Sequence, residues 1–255
     1  MYQSSITPQE IDNLPLAAFE GKIHVIDKPG PELEHAVKYL RRQKVIGFDT
    51  ESRPSFSPGQ PHYGVSLLQL SGAREAFLFR VKLHDMDDRI CAILANPKIL
   101  KIGAAVNDDI RGLQRRKNFD AAGFEDLQKM VWEYGIKDKS VKKMSAIILG
   151  VRISKTQQLS NWEAGTLSES QLKYASTDAW ICREMYNKLM KSEKNPLSYE
   201  EMHPVQEQPK KEKKEASGQQ TPSDKKKKSR NRRRRYNKHR RSKKKADVKN
   251  NSEER

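Results

Sequence analysis

The chain has 255 residues, 35% hydrophobic and 33% charged, with 50 Lys and Arg against 33 Asp and Glu and a formal net charge of +17. That length holds one ordinary domain with extensions. Two distant cysteines, Cys91 and Cys182, argue against a structural zinc site or a disulfide framework and fit a reducing compartment, and the lack of any run of about 18 apolar residues argues against a membrane span.

Residues 1–21 read as an irregular N-terminal extension in which Thr7-Pro8 opens a short helical turn. They lack the basic-then-apolar plan of a secretory signal, so the expected address is the cytoplasm. Lys22–Asp27 alternates as a strand does, and Pro31–Arg42 reads as an amphipathic helix with proline in its first turn. Val45–Glu51 is mostly apolar, like a central buried strand. A Pro- and Gly-rich loop over residues 53–64 leads to two strands, Val65–Leu70 and Glu75–Phe79, joined by a Ser71-Gly72 turn. Arg89–Leu94 reads as helix, Ile99–Ala105 as strand and Asp108–Arg116 as helix. From there the pattern is helical, over Asp126–Tyr134, Ser140–Leu149 and Ser168–Met190. This order predicts a mixed α/β sheet flanked by helices.

The charge is uneven. Residues 206–255 hold 21 Lys and Arg against 7 Asp and Glu, a net of +14, while the preceding 205 residues carry a net of +3. From Gln206 onward the only larger apolar side chains are Tyr236 and Val248, too few to offset about 1–2 kcal/mol of backbone ordering entropy per residue. A disordered basic tail is expected, joined through a linker at 193–205. Such a tail binds DNA or RNA without reading sequence, with dissociation constants of about 10⁻⁴–10⁻⁶ M that weaken steeply with salt. It reads as a tether that raises local substrate concentration.

Three acidic positions stand out from the balanced remainder. Asp49 and Glu51, two apart, project to one face if the strand runs through them. Either the strand stops at Phe48 and the acids open a solvated loop, or two adjacent carboxylates sit on a buried strand and need positive charge. No Lys or Arg lies on that strand face, and oxygen-only ligands favour Mg²⁺ or Mn²⁺. Asn107-Asp108-Asp109 stands where a strand hands over to a helix, a place that also suits ordinary N-capping. Gly103, Ala104 and Ala105 just before it leave room for something bulky at the strand end. Tyr174 and Asp178, four apart, share one face of the last long helix. Carboxylates converging from separate elements suit two divalent ions that act on a phosphodiester, with a phenol orienting water or helping take its proton.

Three segments carry a resemblance: GFDTES, KIGAAVNDDIRGL and LSNWEAGTLSESQLKYASTDAW. They resemble the three motifs of the DEDDy class of 3′-5′ exonucleases, and within it are most similar to ribonuclease D and the Werner syndrome exonuclease domain, over residues 22–192. The resemblance implies a ribonuclease H-like fold with a five-stranded mixed sheet flanked by helices. It implies two divalent cations held by Asp49, Glu51, Asp109 and Asp178, with Tyr174 positioning the attacking water. It implies hydrolysis from a single-stranded 3′ end of DNA or RNA, releasing nucleoside 5′-monophosphates. The motif frame selects Asp109 over Asp108, which is left as a capping or supporting residue. Where proofreading exonucleases place Asn, this chain has Ala105, which leans it toward ribonuclease D.

Other positions have two readings each. Thr50 could touch the terminal nucleotide or face the core. Lys155 could meet a phosphate or be a solvated loop lysine. Trp162 could stack on a base, although its family position suggests packing. The competing reading of the whole chain is a non-catalytic nucleic-acid- or ribosome-binding protein that works through its basic tail.

Overall fold

The computed structural model describes residues 1–56 and 63–202. The elements in chain order begin with α1 (Pro8–Asp12), β1 (Lys22–Ile26), α2 (Pro31–Leu40), β2 (Val45–Ser52), β3 (Val65–Ser71) and β4 (Glu75–Phe79). They continue through α3 (Asp88–Leu94), β5 (Leu100–Gly103), α4 (Val106–Gln114), β6 (Phe124–Asp126) and α5 (Leu127–Met130), with a 3₁₀ turn over Val131–Tyr134. Last come α6 (Val141–Leu149), α7 (Glu169–Leu189) and α8 (Tyr199–Met202). No helix among the described residues is long and apolar enough to cross a membrane. The expected basic tail, 206–255, lies outside them.

The sheet has six strands in the order β1-β4-β3-β2-β5-β6. Pairing is parallel for β1–β4, β2–β5 and β5–β6 and antiparallel for β2–β3 and β3–β4. This is the mixed, helix-flanked, ribonuclease H-like architecture expected, with one strand more than the five anticipated. The extra strand is β6, only three residues long, in a stretch that the sequence reading gave partly to a helix. Asp126 explains the difference: it ends the strand, and its side chain accepts from the Gln128 amide to cap α5. Three residues are too short for a period of two to show.

Each face of the sheet is covered for a readable reason. In α2, Leu33, Ala36, Val37 and Leu40 are buried, the stripe of an amphipathic helix. They pack with Phe48, Leu68, Leu70, Phe77 and Phe79. The opposite face takes α7, whose start is fixed by a capping box between Ser168 and Gln171. The N-terminal residues are less irregular than expected. Thr7 and Glu10 form a second capping box on α1, Ile6 and Ile11 bury against Ala146, and the Phe19 amide donates to Thr177 on α7 at 2.9 Å.

One contact places α7. A Cβ added at Gly47 would lie 1.8 Å from the Ala179 carbonyl oxygen. Helix and strand therefore meet backbone to backbone, and only glycine allows that approach. Asp178, one residue from the contact, is thereby fixed over β2.

Gly47→Ala is expected to cost about 3 kcal/mol or more, because the intruded atoms belong to backbone and cannot rotate away. Gly165, with nothing within 4 Å of its added Cβ, is the control: Gly165→Ala is expected to stay within about 0.5 kcal/mol. Urea unfolding followed by circular dichroism measures both, and equal stability of the two variants would contradict the close approach.

Candidate active site

The β2 strand does not stop at Phe48; it runs to Ser52 and carries Asp49 and Glu51 within it, paired antiparallel with β3. Its parallel partner β5 pairs only as far as Gly47↔Ile102. Beyond that point the sheet is open on one side, as at the carboxyl ends of strands in open α/β folds, where ligands bind. The chain leaves β5 through Ala105, the one non-glycine residue among those described with positive φ, at 58°. Asp126 holds this bend by accepting from the Ala105 amide at 2.9 Å. Gly103 serves packing rather than ligand approach, since an added Cβ would meet Val106 at 2.6 Å and the Phe48 carbonyl at 2.8 Å.

Into this opening α7 delivers Tyr174 and Asp178. Ligand oxygens of Asp49, Glu51 and Asp178 lie within 4.8 Å of one another. They line a cavity of about 210 Å³ together with Thr50, Lys155 and Tyr174. Asp178 and Tyr174 are buried, while Asp49 and Glu51 are half-buried at the cavity wall. Trp162 is 1% exposed and packs against Tyr174 with ring centroids 5.9 Å apart, so its packing reading holds. The turn after it is anchored by buried Arg80, which donates to the carbonyls of Ala164 and Gly165.

Asp109 stands outside the 4.8 Å group, yet its charge is felt at Asp49. Its carboxylate accepts from the Thr50 hydroxyl. Thr50 thus spends its side chain on orienting Asp109 rather than on the core. Asp108, in contrast, faces solvent and pairs with Arg111 at 3.1 Å. It does not cap α4, whose N-cap is Ala105 with no side-chain hydrogen bond.

Lys155 is no solvated loop residue. Its Nζ lies 3.0 and 2.9 Å from the two Asp178 carboxylate oxygens and 5.3 Å above the Tyr174 ring. Reading β2 alone missed this cation because it comes from a segment about a hundred residues further on. The preceding residues, Ile153 and Ser154, carry no periodicity that would mark it.

One ammonium faces three clustered carboxylates. Burial, then the Asp178 and Asp109 charges, raise Asp49 well above the usual carboxylate range. Burial and the Asp49 charge push Glu51 up to about 10. Burial lifts Asp109 to about 6, against the pull of the Thr50 hydrogen bond. Asp178 is raised by burial, but Lys155 and the Tyr174 hydroxyl draw it back. An all-oxygen donor set that is short of positive charge fits a hard divalent cation, and Asp49, Glu51 and Asp178 could hold one.

The same shifts carry a cost in stability. Glu51 titrates near 4.5 in the unfolded chain and near 10 in the fold. Between those values the folded protein binds more protons, so ion-free protein loses stability as pH rises through the window. In EDTA, the Tm is expected to fall from about pH 6 to about pH 9, and Glu51→Gln is expected to flatten the fall and add roughly 0.5–2 kcal/mol. Differential scanning fluorimetry across pH tests this; an ion-free Tm that is flat or rising with pH would sink it.

Comparison with known proteins agrees with the geometry. A family described as 3′-5′ exonuclease matches residues 25–193. Over 150 residues the chain is 33% identical to exonuclease 3′-5′ domain-containing protein 2 of Drosophila melanogaster, covering 57% of this chain and 25% of that one. It is 28% identical over 189 residues to the bifunctional 3′-5′ exonuclease/ATP-dependent helicase WRN of Mus musculus, covering 70% of this chain and 13% of that one. The chain thus spans a quarter or less of these two relatives. Trypanosoma brucei RNase D, solved in complex with RNA U12, shares the fold with a TM-score of 0.60 at 19% identity, over 69% of this chain and 64% of that one. The resemblance to ribonuclease D and the Werner exonuclease is borne out: the chain belongs to the 3′-5′ exonuclease family.

Proposed function

We propose that this chain hydrolyses phosphodiester bonds of DNA or RNA from a single-stranded 3′ end and releases nucleoside 5′-monophosphates. The observation that carries the reading is the convergence of Asp49, Glu51 and Asp178 within 4.8 Å, on the wall of one cavity with Tyr174. Two Mg²⁺ or Mn²⁺ ions held by Asp49, Glu51 and Asp178, with Asp109 supporting the second, would neutralise charge that builds on the phosphate and on the attacking and leaving oxygens.

The residues around the carboxylates divide the remaining work. In the ion-free protein, burial and the neighbouring Asp178 charge raise the Tyr174 phenol above its usual range. Tyr174 would position the attacking water by hydrogen bonding. Thr50 holds Asp109 at a fixed angle. Lys155 balances Asp178 in the ion-free protein and is placed to turn its ammonium to a substrate phosphate when that carboxylate finds another cation. The basic stretch 206–255 supplies a sequence-independent hold on the polyanion.

With a 3′-extended, 5′-labelled single strand and Mg²⁺ or Mn²⁺, wild type is expected to shorten the strand stepwise. Asp49→Ala is expected to lose about 10³-fold or more in turnover, the scale on which removing a preorganised electrostatic group acts. Tyr174→Phe is expected to lose about 10²-fold, as for a group that positions or shuttles a proton. Equal degradation by wild type and Asp49→Ala, or none by either, would overturn the exonuclease reading in favour of a binding scaffold.

Deletion of residues 206–255 tests the tether separately. Binding to a labelled strand is expected to weaken at low salt and to lose most of its salt dependence, while turnover at saturating strand stays within about twofold of wild type. Loss of turnover at saturation would show that the stretch does more than hold substrate.

A further inference from the structure

On the sheet face away from the carboxylates, three side chains converge that the nuclease reading does not use. His24 lies on β1, His35 on α2 and Glu75 at the start of β4. Their ligand atoms fall within 4.8 Å of one another. His24 Nε2 and His35 Nε2 both reach the same Glu75 oxygen, at 2.7 and 2.6 Å. The His24 ring is 4% exposed and stacks on Phe77 with centroids 4.9 Å apart and planes 13° apart, so it cannot swing away. Its other nitrogen, Nδ1, lies 2.6 Å from the Glu32 carboxylate.

This is the arrangement of a metal-ligating histidine. A carboxylate on one ring nitrogen fixes the tautomer and leaves the other nitrogen with its lone pair toward the ion. Two imidazole nitrogens, from His24 and His35, converge on the same Glu75 oxygen. A cation between the three ligand atoms would be within reach of all of them. Tetrahedral bonds of about 2.0–2.1 Å place ligand atoms roughly 3.3 Å apart, so Glu75 and His35 need move outward by only a fraction of an ångström. His35, with its side chain 44% exposed, leaves a fourth position open to water.

We propose that His24, His35 and Glu75 form a second cation site that takes Zn²⁺, with Glu32 orienting His24. Two imidazoles and one carboxylate suit a borderline cation such as Zn²⁺ and do not suit Mg²⁺, which prefers oxygen alone. The scarcity of cysteine bears only on thiolate zinc sites and leaves this donor set untouched. Because the ligands come from an edge strand, the strand beside it and the helix above, the ion ties β1 to the body of the sheet. Nothing in the proposal depends on the nuclease reading.

The test uses the untagged full chain carrying Asp49→Ala, so that the cleft carboxylates lose a ligand. After dialysis against EDTA and then metal-free buffer, Zn²⁺ is titrated calorimetrically, and Co²⁺ is added as a visible-absorbing substitute. One equivalent of Zn²⁺ is expected to bind in the presence of excess Mg²⁺, with a Tm rise of about 5–10 °C at a hundredfold excess over the dissociation constant. His35→Ala, at an exposed position, is expected to abolish that equivalent and the Co²⁺ absorption band without altering the far-ultraviolet spectrum. Glu32→Gln is expected to weaken binding about 10-fold. Failure of the Asp49→Ala chain to bind Zn²⁺, or unchanged Zn²⁺ affinity in His35→Ala, would overturn the site and leave a hydrogen-bonded ion-pair cluster.

Discussion

The structure depends on one approach, the backbone of α7 lying on the backbone of β2 at Gly47 and Ala179. Side chains flex, but two backbones in contact behave as a rigid joint. That joint brings a pair of strand carboxylates and a helix carboxylate distant from them in sequence into one cluster. Asp49 and Glu51 sit two and four residues beyond Gly47 on the strand, and Asp178 is the neighbour of Ala179 on the helix. Their spacing is therefore set by main-chain geometry, and Tyr174 and Asp178, one turn apart, are buried together on α7. Cys182, one further turn along, continues the same buried face.

What this joint assembles is electrostatically unfavourable by itself. Three carboxylates share one cavity with a single ammonium, and burial adds to their repulsion. The remainder of the molecule offsets that penalty. Two large apolar clusters cover the two faces of the sheet, and the bend at Ala105 is held by its amide donating to Asp126. Strain and unfavourable charge concentrated in one place, within an otherwise consistent fold, are the signature of a site selected for chemistry rather than stability.

Legibility in the sequence followed the range of the interaction that fixed each feature. Strands β2, β3 and β4 and helices α2 and α7 were readable because periodicity and caps are local: the stripe Leu33, Ala36, Val37, Leu40 and the Ser168–Gln171 box lie within single elements. Asp49 and Glu51 were readable for the same reason, as two charges on an apolar strand. The strand β6 was not, because its three residues earn strand geometry only by pairing with β5. The roles of Lys155, of Thr50 as a donor to Asp109 and of Arg80 as an anchor were hidden as well. Each spans between 59 and 85 positions or, for Lys155, closes onto a helix that starts a loop later. Residues 1–21 looked irregular because Ile6 and Ile11 find buried partners in α6 and the Phe19 ring meets Trp180 of α7, contacts far away in sequence.

The two faces of the sheet differ in what they can hold, and the difference follows from strand alternation. On β2, residues pointing to α7 are Gly47, Asp49 and Glu51, while Phe48 points to α2. On β1, Ile23 packs on the α7 side with Leu67 and Trp162, while His24 points to α2 and stacks on Phe77. One face therefore gathers oxygen donors alone, around a glycine that lets a helix come close. The other gathers two imidazoles and a carboxylate under the amphipathic helix α2. By donor type, the first set would suit hard cations and the second borderline ones. A loss of register by one residue in β2 would turn Asp49 and Glu51 to the wrong face, and the same slip in β1 would turn His24 away from His35 and Glu75. The pairing of β1 with β4 and of β2 with β3 is thus as much a condition for the chemistry as the ligands themselves.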